Sequence, residues 1–164
     1  MKTTAKKQSF SAAGKIGGFA SALFSLVAIL TMFASAFNED EGNARGSLFK
    51  VMFGNSWQSN PGNYNPVWPL IGGFALLVIA IGLGVATAMS NKGKKALQAA
   101  AILCNGGAIA LTMFECQFYE AANNVVLSTT GTTYIGAAAI CVAVFAGIAL
   151  LINFFSLIYK GEAE

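Results

Sequence analysis

Residues 70–89 read LIGGFALLVIAIGLGVATAM, residues 90–95 read SNKGKK, and residues 96–114 read ALQAAAILCNGGAIALTMF. Two apolar runs separated by a short basic turn decide the fold. Each run is close to the ~20 residues that an α-helix needs to cross a ~30 Å hydrocarbon core. Ala, Leu, Gly and Phe stand in unbroken stretches, so the two-residue alternation of a membrane β-barrel is absent. Helices then remain the way to satisfy backbone hydrogen bonds in lipid. The basic turn is so short that its two helices must be antiparallel neighbours.

Outward from this pair, the runs at 16–37 and 134–157 have the same character. Of 164 residues, 55% are hydrophobic and 10% charged, more continuous apolar sequence than a soluble chain of this length can hide. The expected fold is an all-α membrane protein, a four-transmembrane-helix bundle forming one domain over residues 1–164. Its outer loops fall at 38–69 and 115–133.

Lys2, Lys6, Lys7 and Lys15 precede the first run, Lys92, Lys94 and Lys95 separate the second from the third, and Lys160 follows the fourth. Eight of the ten basic residues thus fall on one side of a four-span chain, and only Arg45 and Lys50 fall on the other. The positive-inside rule puts both termini in the cytoplasm. Glu39, Asp40, Glu41, Glu115 and Glu120 lie on the outer side, which agrees but adds little, because carboxylates contribute weakly to topology. The net charge of +3 is therefore a topology signal. Without a basic stripe interleaved with aromatics, no nucleic-acid partner is expected.

The amino terminus has a second reading. Lysines, an apolar stretch and Ala34-Ser35-Ala36 resemble a secretory signal with cleavage after Ala36. The apolar run is longer than the core of such a signal, so the segment is expected to stay as a span.

The first outer loop divides in two. Residues 38–46 are acidic and glycine-bearing and are expected to cap the first helix in water. Residues 47–53 are apolar enough to lie on the membrane interface. The following stretch, 54–69, is rich in Asn-Pro and Pro-Gly turn steps and carries Trp57, Tyr64 and Trp68, rings that settle at headgroup level. It reads as a collar over the bundle and as the candidate partner-binding surface. Pro69 suits a first helical turn, where its missing N–H costs nothing.

Inside the spans, Gly14 and Gly18 with Ala22, then Ala80, Gly84 and Ala88, then Gly106 and Ala110, then Ala139, Ala143 and Gly147 follow the small-xxx-small spacing that lets helices approach closely. They are the expected packing seams, within the chain or toward an oligomer. Asn105 lies at mid-span and must face protein, and Asn153 lies near the inner end of the fourth span. Ser21, Ser25, Thr31, Ser35, Thr87 and Thr112 can bond their own helix carbonyls. Glu115 is expected in water at the outer boundary, where with Glu120 it could form an acidic mouth.

Catalysis finds no support. The chain has no histidine and one aspartate, so familiar nucleophile and base sets cannot be assembled. Cys104, Cys116 and Cys141 make no CxxC pair, and Gly82-Leu83-Gly84 lacks the strand-and-helix context of a dinucleotide fingerprint. No metal and no cofactor are expected.

With both ends inside and the larger outer loop first, the topology resembles that of claudin-type four-span proteins. The likeness is topological alone, since the outer loop is short and carries no cysteine pair. The expected function is that of a non-catalytic structural or interaction component, an accessory subunit of a larger membrane assembly. Its partners would be membrane lipids and other membrane subunits or a second copy. The alternative is a small oligomeric transporter or channel with Asn105 lining the path and Glu115 at its mouth. The outer loops lack glycosylation sequons and a cysteine pair, which points to a bacterial cytoplasmic membrane.

Overall fold

The computed structural model describes residues 2–38, 44–54, 65–90, 94–124 and 134–158. In chain order the elements are α1 (Lys2–Thr31), β1 (Ser35–Asn38), β2 (Ala44–Ser47), α2 (Leu48–Phe53), α3 (Trp68–Met89), α4 (Lys94–Met113), α5 (Glu115–Asn123), β3 (Tyr134–Ile135) and α6 (Ala137–Ile158). Four helices are long and apolar enough to cross a membrane: Gly14–Thr31 of α1, and α3, α4 and α6 entire. They form a ring in which α1 touches α3, α3 touches α4, α4 touches α6 and α6 returns to α1, leaving α1 and α4 across a diagonal.

Each helix turns one stripe inward at alternating steps of three and four, the spacing of coiled-coil-like packing. The α3 stripe is Leu70, Gly73, Leu77, Ala80, Gly84 and Thr87, and the α4 stripe is Gln98, Ala101, Asn105, Ala108 and Thr112. Many of the large apolar residues of the spans face out. Ile16, Phe19, Leu23, Leu26, Leu30 and Phe33 form an exposed row along α1 and its end. This is a soluble protein's pattern inverted, and it suits a solvent as apolar as the side chains themselves.

The end of the ring away from the C-terminus of α3 and the N-terminus of α4 is closed by a cap. A three-stranded antiparallel sheet in the order β2-β1-β3 joins residues following α1 to residues preceding α6. The fold is therefore not wholly helical. The first span was expected to reach residue 37, but α1 ends at Thr31 and Ser35–Asn38 is the central strand. Phe37 pairs with Arg45 on one side and with Ile135 on the other.

Helix α2 also departs from expectation. Leu48, Val51 and Met52 are buried in the cap core, so this segment does not simply rest on an interface. The Leu48 and Phe49 amides donate to the Ala34 and Met32 carbonyls, folding α2 back over the end of α1. Phe49 then packs between Phe33 of the α1 end and Phe74 of α3, at 4.8 and 5.9 Å between ring centres. The core is graded in consequence. Met32, Leu48, Met52, Val67, Leu70 and Leu77 fill the cap half, while glycine, alanine and hydrogen-bonded polar residues fill the other.

Candidate functional site

Two groups of buried polar side chains stand out, one inside the ring and one under the cap. Near the middle of α4, Asn105 is fully buried. Its Nδ2 donates to the Ala101 carbonyl one turn back at 2.9 Å, and its Oδ1 accepts the Ser25 hydroxyl of α1 at 3.0 Å. The carbonyl can only accept, which fixes the orientation of the amide. The same Ser25 hydroxyl lies 3.0 Å from the Ser21 carbonyl, so its single proton is shared between the two acceptors, and Ser21 Oγ accepts Asn153 Nδ2 from α6. Like Asn105, Asn153 bonds back to its own helix, at Ala149. Two serines one turn apart on α1 thus receive an asparagine from each of two other helices.

The Ser25–Asn105 bond crosses the diagonal of the ring. Such reach is possible because the stripes at this level are built of Ala22, Ala101 and Gly84. In hydrocarbon a cross-helix hydrogen bond contributes about 0.6 kcal/mol on average and about 1.7 kcal/mol at most. A double-mutant cycle of Ser25→Ala and Asn105→Ala, followed by detergent-induced unfolding, is expected to give a coupling energy within that range. Strict additivity of the two single losses would reject the diagonal contact.

The seam residues divide. A Cβ on Gly18 would lie 2.7 Å from the Gly84 carbonyl oxygen and 2.8 Å from the Ala88 nitrogen, and one on Gly84 would lie 2.9 Å from the Gly18 oxygen. These glycines carry a backbone-to-backbone crossing of α1 and α3, flanked by buried Ala80 and Ala88. Among the described residues, Gly14 would meet only the Lys94 Nζ, at 3.9 Å, and Gly106 only the Leu150 Cδ1, at 3.6 Å. Ala110 is exposed. On α6, Ala139 is buried, but Ala143 is half-buried and Gly147 has nothing within 4 Å of an added Cβ. The buried α6 stripe runs instead through Val142, Ala146, Ala149 and Asn153.

Under the cap lies Glu115, which is fully buried, contrary to its expected place in water at a mouth. The inward stripe of α4 steps from Asn105 through Ala108 and Thr112, and its next two steps are Glu115 and Tyr119. The chain breaks helix at Phe114, yet α5 keeps the phase, so the carboxyl points inward. Its Oε1 accepts the Gly136 amide at 2.9 Å, and its Oε2 has no hydrogen-bond partner. Burial pushes its pKa from 4.5 up to about 8, partly offset by that amide. Burial, then the charges of Glu115 and Glu120, push the neighbouring Cys116 thiol up to about 11, which makes it a poor nucleophile at neutral pH.

Of the collar residues, Trp57 and Tyr64 lie outside the described residues. Trp68 opens α3 and is 72% exposed, with Pro69 at the helix start. Just before it, the Asn65 amide donates to Asn123 Oδ1 at 2.6 Å and its side chain to the Ala122 carbonyl at 2.9 Å, tying the loop to the end of α5. Among the described residues, no three carboxylate or thiol groups converge as a metal cluster.

The class defined by this architecture is a four-helix bundle of membrane-spanning dimensions, closed at one end by a sheet-and-helix cap. Comparison with protein-family models, with curated proteins and with solved structures finds no match to the chain.

Proposed function

We propose that the chain is a non-catalytic structural or interaction component of a membrane, an accessory subunit within a larger assembly. In this reading it spans the bilayer four times with both termini cytoplasmic, and the cap faces outward. Lys15, Lys94 and Lys95, at the end opposite the cap, support that orientation, as does the distribution of the other lysines along the sequence. The lack of sequons and of a cysteine pair in the loops supports a bacterial cytoplasmic membrane.

One observation carries the functional reading: Ser21, Ser25, Asn105 and Asn153, buried inside the ring, are bonded to one another and to their own helices. Asn105 is fully buried with both ends of its amide occupied, so it holds helices together and lines no path within one chain. What the molecule offers instead is its outside, the α1 row from Ile16 to Phe33, the α6 row with Phe154 and Phe155, and exposed Trp68 at the cap. These surfaces suit lipid and the helices of a partner.

A tagged chain at native abundance, extracted in mild detergent, is expected to migrate as a particle with a second membrane protein in fixed stoichiometry. Loss of either component should lower the level of the other. A chain that purifies only with itself and carries an ion or solute flux into vesicles, abolished by Asn105→Leu with assembly intact, would establish the transporter reading in its place.

A further inference from the structure

The cap encloses a carboxyl group at the point where three of its elements meet. Glu115 Oε1 holds the amide of Gly136, the residue joining β3 to α6. Gly136 is pressed so tightly on the central strand that a Cβ there would overlap the Ala36 carbonyl. Whatever happens at Glu115 therefore reaches α5, the β3–α6 junction and β1 together. The second oxygen, Oε2, is buried without a partner, and an ionised carboxylate left so would be costly.

We propose that Glu115 is a proton-binding latch: as the neutral acid it closes α5 onto the β3–α6 junction, and loss of its proton loosens the cap. This inference does not rest on the accessory-subunit reading.

Among the side chains that the structure describes, none packed against Glu115 is cationic. On α5 the neighbouring ionisable groups are Cys116, Tyr119 and Glu120, none of them cationic. The strand and junction packed on it bring Ser35, Ala36, Gly136, Ala137 and Ala138, and α3 has no ionisable side chain at all. Tyr134, a phenol, lies in β3, Lys50 of α2 is exposed, and Arg45 belongs to β2, across β1 from β3. Placement in the first turn of α5 favours a negative charge, but only by a fraction of what burial costs it.

The direction of the pH effect follows from the raised value. An open cap releases the proton near 4.5 and a closed one near 8, so closure is favoured most below 4.5 and weakens as pH rises through that interval. Above about 8 both forms are ionised and no more is lost. Each pH unit inside the interval shifts the closed-to-open ratio by up to about tenfold.

The test uses the full chain in lipid nanodiscs. The Glu115 Cδ resonance is expected to titrate near 8, with the Gly136 amide resonance following at the same midpoint. Hydrogen exchange at 134–136 in the parent should accelerate at least about tenfold more between about pH 5 and about pH 9 than in Glu115→Gln. A Cδ midpoint in the ordinary carboxylate range would overturn the proposal. So would a parent-to-variant exchange ratio that stays constant with pH. Should Glu115→Gln not fold, the parent decides alone: a Gly136 resonance that ignores the Glu115 titration rejects the latch.

Discussion

Alanine at position 136 is expected to open the cap end of the bundle while the ring beneath it stays assembled. The added methyl would sit on the Ala36 carbonyl of the central strand, and backbone cannot swing aside as a side-chain tip can. Relief requires β3 to part from β1, which also pulls the Gly136 amide away from Glu115. A loss of ~3 kcal/mol or more follows, a fall in apparent Tm of about 10 °C for a chain of this size. Cys116, half-buried on α5, reports the opening. With Cys104 and Cys141 replaced by alanine, thiol labelling of Cys116 should become fast in Gly136→Ala at temperatures where the parent is protected. Unchanged Tm and unchanged labelling would show that the strand contact is not rigid. Gly147→Ala is the control, since an added Cβ there meets nothing within 4 Å.

Leucine at Gly18 or at Gly84 is expected to break the opposite half of the molecule. Between lipid-solvated helices the apolar effect is weak, and close backbone approach is one of the few attractions available. Each of these glycines faces the other helix's backbone at under 3 Å from where a Cβ would stand, so a larger side chain forces α1 and α3 apart. That separation strains the Ser21 and Ser25 bonds to Asn153 and Asn105 on the same face of α1. Each single change should cost ~3 kcal/mol, read by detergent-induced unfolding. The double change should cost less than the sum, because the first already opens the crossing. Leucine at Gly14 should be nearly silent, as among the described residues only the tip of the Lys94 side chain lies near. Equal damage at 14 and 18 would refute the assignment of the crossing.

That contrast marks how far the sequence could be read. The small-xxx-small spacing joins Gly14 with Gly18 and Ala143 with Gly147 on equal terms, because spacing defines a face of one helix and says nothing about which neighbour covers it. Glu115 is the opposite case, since its burial was legible. The three-four rhythm of 98, 101, 105, 108 and 112 runs on to 115 and 119, and following it through Phe114 places the carboxyl inward. A charged residue beyond an apolar run invites a reading as solvated boundary, and that reading passed over the rhythm. The sheet left no comparable trace. SAFN and ARGS are four residues each, and YI is two, too short for any alternation to register.

Four helices of spanning length, and their approximate limits, follow from sequence because the free energy of moving residues into an apolar medium adds up locally, residue by residue along a run. Which helices touch, that Ser25 meets Asn105 across the diagonal, and that Glu115 lies beneath a three-stranded lid were decided only by the tertiary structure. Those contacts join positions 80 and 21 residues apart in the chain, and they depend on how closely neighbouring backbones can approach, which no single stretch encodes.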